Sequence, residues 1–307
     1  MRKLLPLALV GVFVLTGCGT EIPKTHTPPG AKEAAPVLGA PQIERIMTAL
    51  GETLAEGDRS RQAAKLKGRV DAGALAARTG QYATKSVTPI DTKAQIVTVT
   101  RSKDWPRAMA AISTAKEGAQ ALFLRQEKPR EPYKLVQWVT LFPNVTIPET
   151  AKVETGAPMI GTDGKGLAVA PSELVKTYAA GLADSKKFDD PLLQSLRKEA
   201  AQLREATKDG GKVTNSLTPT GQINGIGLHD GGALVSAEFN YSTKLEVKQN
   251  SEITLSGKVG ELIGGKVTDK GSWTKKVMVM FVIPKKGQAK SVGAQVVLIK
   301  AAKDLNN

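Results

Sequence analysis

The spacing of apolar residues changes from a helical to a strand-like repeat within the first half of the chain. Ile43, Met47, Leu50 and Leu54 follow one another at intervals of three or four, which places them on one face of a helix. A second helical stretch is predicted over 62–81. The period then becomes two, and turn sequences separate four predicted strands at 94–100, 107–112, 119–126 and 133–141. This half therefore predicts two helices followed by an antiparallel meander.

The same order of patterns returns in the second half. Leu174, Val175 and Tyr178 indicate a helix over 172–182. Asp190 and Pro191 predict the start of the next helix, because an aspartate caps the free N–H groups and proline suits the first helical position. That helix is predicted to end near 210. Five strands follow, predicted at 213–222, 233–247, 251–255, 273–283 and 291–299.

Two helices can bury their apolar faces by lying across a curved antiparallel sheet, which is an α+β arrangement. The repeat of this order predicts two tandem helix–helix–sheet domains, each shaped like a cone. A stretch rich in proline, threonine, alanine and glycine precedes them and predicts a flexible tether. The predicted boundaries are a signal peptide at 1–17, a lipidated cysteine and tether at 18–40, a first domain at 41–150, a linker at 151–171, a second domain at 172–302 and a tail at 303–307.

The N-terminus has the layout of an export signal. A short basic segment, Met1–Lys3, precedes an apolar run that is too short to span a membrane as a helix. The four residues 15–18, Leu-Thr-Gly-Cys, resemble a bacterial lipobox. The resemblance implies cleavage between Gly17 and Cys18 and acylation of the Cys18 thiol. The alternative, in which Cys18 is an ordinary buried thiol, leaves the basic and apolar segments without a role.

The composition further limits the kinds of site and the classes of partner that the chain can have. Cys18 is the sole cysteine, so once it is acylated no thiol remains for a disulfide, a thiolate metal site or a cysteine nucleophile. The net charge is +14, which favours anionic lipid headgroups or anionic wall polymers as neighbours. Basic residues occur in small groups, such as Lys285, Lys286 and Lys290, without interleaved aromatic residues. We therefore expect no nucleic-acid partner.

A search for catalytic and metal-binding patterns yields no candidate residues. His229 lies in the sequence Gly-Leu-His-Asp-Gly-Gly, which is typical of a tight turn between strands. Asp189 and Asp190, the closest pair of acidic residues, are better explained as a helix cap than as part of a metal site. The three tryptophans, Trp105, Trp138 and Trp273, could line the mouth of a pocket but more often fill a core. We expect no catalytic residue, no metal site and no cofactor.

The order of elements resembles the cystatin or nuclear-transport-factor-like fold. Beyond this, the lipobox, the tether and the segments 68–83 (GRVDAGALAARTGQYA) and 189–200 (DDPLLQSLRKEA) resemble uncharacterised lipoproteins of actinobacteria. The resemblance implies two such units in tandem, anchored through lipid to the outer face of the cytoplasmic membrane. It assigns no site residues, because the function of that family is itself unassigned.

The sequence favours a binding protein of the cell envelope over an enzyme. The leading hypothesis is that it holds an apolar ligand or an envelope partner on the concave face of a sheet. One alternative is a scaffold or assembly factor that holds a protein partner near the membrane. The other is a hydrolase of envelope glycans or lipids that works through carboxylates the sequence does not identify.

Overall fold

The computed structural model describes residues 33–115 and 118–304. Helices alternate with groups of strands along the chain. The helices are α1 (Ala40–Ser60), α2 (Ala72–Ala83), α3 (Pro171–Ala180), α4 (Pro191–Thr207) and α5 (Gly257–Ile263), with a 3-10 helix at Ala63–Leu66. The strands are β1 (Ala94–Val99), β2 (Arg107–Ala115), β3 (Gly118–Gln126), β4 (Lys134–Leu141), β5 (Met159–Ile160), β6 (Gly211–Gly227), β7 (Ala233–Val247), β8 (Ile253–Thr254), β9 (Lys266–Val267), β10 (Lys270–Ile283) and β11 (Lys290–Lys303).

Nine strands form one antiparallel sheet in the order β1-β2-β3-β4-β11-β10-β7-β6-β5, and β8 and β9 form a separate pair. The predicted α+β class with an antiparallel sheet is therefore confirmed. Within this sheet the two predicted halves are joined by the pairing of β4 with β11, where Leu141 faces Gly293 and Thr140 faces Ala294. The backbone N–H of Phe142 extends this contact by donating to Val292 O at 2.9 Å.

The prediction of two separate tandem domains is not confirmed, because the strands of both halves share this sheet and the chain from Ala34 onward forms one compact unit. The core also crosses the predicted boundary. Leu122 and Trp138 from the first half belong to the same buried cluster as Ile226, Met278 and Met280 from the second. Hydrogen bonding and apolar burial thus join the two halves, although each half keeps its order of two helices followed by strands.

The two faces of the central strands carry different cores. Successive residues of a strand point to opposite faces, and in β7 Leu234 joins the cluster under α1 and α2 while Val235 joins the cluster under α3 and α4. Around the second cluster, Tyr178 of α3 lies between the rings of Phe239 and Phe281, with centroid distances of 5.2 and 5.1 Å. Helix α3 is therefore fixed to the sheet by aromatic packing.

The predicted second helix, 62–81, is broken in the structure. Backbone groups near Val70 bond to β4 instead of continuing the helix: Leu135 N donates to Arg69 O and Asp71 N donates to Leu135 O, at 2.8 and 2.9 Å. The Asp71 side chain then accepts from Ala72 N at 2.8 Å, where α2 begins. Long-range pairing with a strand thus overrides the local helical pattern. The short elements β5, β9 and α5 were not predicted.

The predicted signal peptide, the cleavage site at Gly17 and the acylation site at Cys18 lie outside the described residues. Within the described part of the chain, no helix is both long and apolar enough to cross a membrane.

Candidate functional site

A cleft of about 680 Å³ lies beside the N-terminus of α4. It is bounded by α3, by the loop that leads into α4, and by the hairpin that joins β10 to β11. Its apolar surface comes from segments that are distant in the sequence, namely Phe142, Val145, Val169, Leu174 and Phe188. This volume falls within the range of about 300–1,000 Å³ that is usual for small-molecule sites.

Asp190 lines the cleft at the N-terminus of helix α4. Its carboxylate accepts three hydrogen bonds, from Leu193 N at 2.7 Å, from Tyr178 Oη at 2.9 Å and from Ser291 Oγ at 2.7 Å. It is the N-cap residue, and Pro191 occupies the first turn. The interpretation of this segment as a helix cap is therefore confirmed. The Asp190 carboxylate therefore links α3, α4 and β11 through these three hydrogen bonds.

Tyr178 is held as a neutral hydrogen-bond donor beneath the cleft. Its side chain is fully buried, and burial together with the adjacent Asp190 carboxylate raises the pKa of the phenol well above its usual value. Its ring also meets Phe188, a cleft residue, edge-on at 5.0 Å. This ring packing holds Phe188 in place as part of the cleft wall.

Asp189, at the rim, is also neutralised within the protein. It accepts from Gln194 Nε2 at 2.8 Å and forms an ion pair with Arg197. The hydrogen bonds from Gln194 and Arg197 lower the pKa of the Asp189 carboxyl. Arg197 in turn donates from Nη1 to Gly181 O at 2.6 Å, which holds the guanidinium at the end of α3.

Three exposed lysines stand around the same cleft without such partners. Lys186 and Lys187 lie in the loop before α4, and Lys290 begins β11. None of their ammonium groups forms an ion pair or a hydrogen bond with a residue that the structure describes. The three lysines together with Arg197 outnumber the two aspartates of the cleft, so the net charge at its mouth is positive. An apolar floor below a positive rim suits a ligand that has an apolar body and an anionic end.

A comparison with protein-family models matches residues 35–303 to the family described as Domain of unknown function (DUF8094). The chain belongs to this family. No curated protein and no solved structure matches it. Among the described residues, the match to DUF8094 covers every strand and every helix, and therefore both sides of the cleft.

The structure places the other predicted residues away from the cleft. In this DUF8094 chain His229 lies in the turn between β6 and β7, where Leu228 N donates to Gly232 O and Asp230 Oδ1 accepts from Gly232 N, both at 2.8 Å. Its interpretation as a turn residue is confirmed. Trp138 and Trp273 are buried in the core, whereas Trp105 is 37% exposed.

Among the described carboxylates Glu238 is the least exposed, and it too lies outside the cleft. It is on β7 beneath α2, where it accepts from Gly73 N at 3.0 Å and lies 3.5 Å from Lys276 Nζ. Burial raises the pKa of its carboxyl, although the Lys276 charge acts in the opposite direction. Among the described residues no group of three or more histidine, cysteine, aspartate or glutamate side chains could hold a metal ion.

Sequence reasoning missed the cleft lysines as a group. In the sequence Lys290 belongs to a small basic group with Lys285 and Lys286, and Lys186 and Lys187 carry no recognisable motif. They come together because Asp190, at the start of α4, accepts a hydrogen bond from Ser291 of β11. The available local signal was the Asp190-Pro191 cap, which marks the helix start but not the strand that packs against it.

Proposed function

We propose that this protein is acylated at Cys18, is held on the outer face of the cytoplasmic membrane and binds an amphipathic anionic molecule in the cleft beside α4. The observation that carries the proposal is the set of three unpaired lysines around an apolar floor. We assign the protein a binding role rather than a catalytic one. The proposal keeps the resemblance to actinobacterial lipoproteins built from two tandem units, which the repeated order of helices and strands supports.

The arrangement of charges favours an anionic end on the ligand. Lys186, Lys187 and Lys290 are long, exposed cations whose methylene stems can cover apolar surface while their ammonium groups reach outward. A carboxylate or phosphate between them would gain attraction without displacing an existing ion pair. The aspartates would not repel it strongly, because Arg197 neutralises Asp189 and three donors surround Asp190.

The apolar surface favours a hydrocarbon body. Phe142, Val169, Leu174 and Phe188 expose their inner surfaces to the cleft, and each buried methylene of a ligand contributes about 0.8 kcal/mol. A membrane-anchored protein is also close to a large supply of such molecules, since lipids have an anionic head and an apolar chain. The proposed anchor would therefore keep the cleft close to molecules of the class that it is proposed to bind.

The direct test is a calorimetric titration of the full chain with laurate, below its micellar concentration, and with the neutral dodecanol. We expect laurate to bind more tightly. The combined substitutions Lys186→Gln, Lys187→Gln and Lys290→Gln should weaken laurate binding at least about tenfold, since a hydrogen bond to a charged group contributes about 1.5–3 kcal/mol, and leave dodecanol binding unchanged. Val169→Trp should weaken both.

The matched control removes three exposed lysines that also form no ion pair with a described residue, Lys67, Lys103 and Lys244. Their combined replacement by glutamine makes the same change in net charge away from the cleft and should leave both ligands bound as before. Equal binding of laurate and dodecanol, or equal losses in the two triple variants, would contradict the proposal.

A further inference from the structure

A second cleft, of about 400 Å³, lies beside the hairpin that joins β3 to β4. It is bounded by the start of α1, by the segment before α2 and by that hairpin. Its polar lining consists of Gln42, Arg45, Arg69, Gln126, Glu131 and Tyr133. We refer to it as the arginine cleft. It shares no lining residue with the cleft beside α4.

Tyr133 supplies a buried polar atom that lacks a partner. The side chain is 5% exposed, and its hydroxyl makes no hydrogen bond within the described structure. Nε of Arg107, whose charge acts on the same phenol, is likewise buried without a hydrogen bond. Buried polar atoms are nearly always paired in native proteins, and each unpaired one costs about 1–3 kcal/mol. Tyr133 lines the arginine cleft, so its hydroxyl indicates a place where a polar ligand group completes the hydrogen bonding.

The charge of this region indicates an anionic group. Arg45, Arg69 and Arg107 form no ion pair with a carboxylate among residues 33–115 and 118–304. Guanidinium groups bind phosphate and carboxylate through paired N–H donors and lose less hydration than ammonium groups do. Glu131 is the sole carboxylate of the lining, and it can accept hydroxyl donors beside the anion.

Trp105 adds an aromatic surface at the edge of the same region. Its indole nitrogen donates to Gln126 Oε1 at 3.2 Å, and Gln126 lines the cleft. The Arg107 guanidinium lies 4.0 Å from the centre of the ring, which fixes the ring in place. The side chain is nevertheless 37% exposed. A flat, partly exposed indole next to amide and guanidinium groups suits the C–H face of a sugar ring.

We infer that the arginine cleft binds a sugar that carries a phosphate or carboxylate group. The arginines and Tyr133 would hold the anion, Gln42, Gln126 and Glu131 would bind the hydroxyl groups, and Trp105 would cover one face of the ring. This site is independent of the amphiphile proposed for the other cleft, since the ligand class and the lining residues both differ.

Trp105 provides a specific probe for the test. The other two tryptophans are buried at 0% and 4% exposure, so a ligand in the arginine cleft should change the fluorescence of Trp105 alone. The full chain is titrated with glucose 6-phosphate, glucuronate, glucose and inorganic phosphate. We expect the two anionic sugars to bind more tightly than glucose and than phosphate. The fluorescence change should disappear in Trp105→Phe.

Variants then measure how much individual residues contribute to binding of the anionic sugars. Tyr133→Phe should weaken binding of the anionic sugars at least about fivefold, and Arg69→Gln at least about tenfold, as measured by calorimetry. Arg61→Gln is the matched control, because it removes the same charge near the opposite end of α1, about 24 Å from Arg45 along the helix. The triple lysine variant of the other cleft should bind these sugars as the wild type does.

Three results would overturn the inference. In the first, neither glucose 6-phosphate nor glucuronate binds at millimolar concentration. In the second, inorganic phosphate binds as tightly as the sugar phosphate, which excludes recognition of a ring. In the third, Tyr133→Phe and Arg69→Gln bind as Arg61→Gln does. Circular dichroism of each variant distinguishes a lost contact from a lost fold.

Discussion

Gly80 of α2 lies directly against the backbone of Leu298 in β11, so that a Cβ atom at Gly80 would be 2.3 Å from the Leu298 carbonyl oxygen. A side chain cannot occupy this space unless the helix or the strand moves. The contact brings a helix of the first predicted half against a strand of the second. It therefore contributes to the continuity of the fold across the predicted domain boundary.

Gly80→Ala should destabilise the protein by about 1–3 kcal/mol, because the added methyl group meets backbone and not a flexible side chain. Equilibrium unfolding in urea measures the change. Gly68→Ala is the control, since no described atom outside Gly68 and its two chain neighbours lies within 4 Å of the position of its Cβ. That variant should stay within about 0.5 kcal/mol of the wild type. Equal stability of the two variants would show that α2 does not pack closely on β11.

Asp190→Ala should lower the free energy of unfolding by about 2–4 kcal/mol. The change removes the cap of α4 and leaves the buried Tyr178 hydroxyl without its acceptor. Asp190→Asn should cost less, because asparagine also caps helices. Asp209→Ala, at an exposed position after α4, is the control. If Asp190→Ala and Asp209→Ala unfold at the same urea concentration, Asp190 does not hold the cleft together.

Glu238 should make the stability depend on pH. Burial raises the pKa of its carboxyl above the usual 4.5, so the folded protein binds this proton more tightly than the unfolded chain. The stabilisation by the protonated group is complete below about pH 4.5. It is lost as the pH rises through the higher pKa of the folded state.

The measurement is the difference in unfolding free energy between the wild type and Glu238→Gln, determined at pH 4 and at pH 7. The advantage of the wild type should be smaller at pH 7, since glutamine does not titrate. Glu246→Gln, on the exposed part of the same strand, reports the effect of removing a carboxylate that is not buried. A wild-type advantage that grows from pH 4 to pH 7 would mean that the Lys276 charge outweighs burial.

Cys18→Ala should abolish labelling by a fatty-acid precursor and release the protein from the membrane fraction. The thiol is the acyl acceptor in the proposed anchor, and two or more acyl chains are needed for stable attachment. Thr20→Ala, two residues further along the proposed tether, should remain labelled and bound. Membrane retention of Cys18→Ala after removal of the signal peptide would contradict an anchor at this residue.

The pattern of the sequence predicted most elements because they depend on local spacing. The strand predicted at 233–247 coincides with β7, and Asp190 and Pro191 begin α4 as expected. The joining of the halves was not predicted, since nothing around Leu141 indicates that it will pair with Gly293. The position of Gly80 within a helical pattern likewise carries no sign of the strand against it.

The candidate sites were harder to predict than the fold. Lys187 and Lys290 belong to one cleft only because α4 and β11 meet at Asp190. In the arginine cleft, Arg69 and Tyr133 come from segments that pair through the backbone of Leu135 and are remote in sequence. The net positive charge of the sequence indicated an anionic neighbour. Which basic residues come together in each cleft depends on long-range packing, which the composition does not show.

The central claim is that the cleft beside α4 holds an anionic amphiphile, and native mass spectrometry of the full chain extracted from bacterial membranes tests it most directly. The account predicts an adduct with the mass of a lipid or fatty acid that bears a negative charge. This adduct should be absent when Lys186→Gln, Lys187→Gln and Lys290→Gln are combined. A chain without any adduct, or the same adduct in the wild type and the triple variant, would contradict the claim.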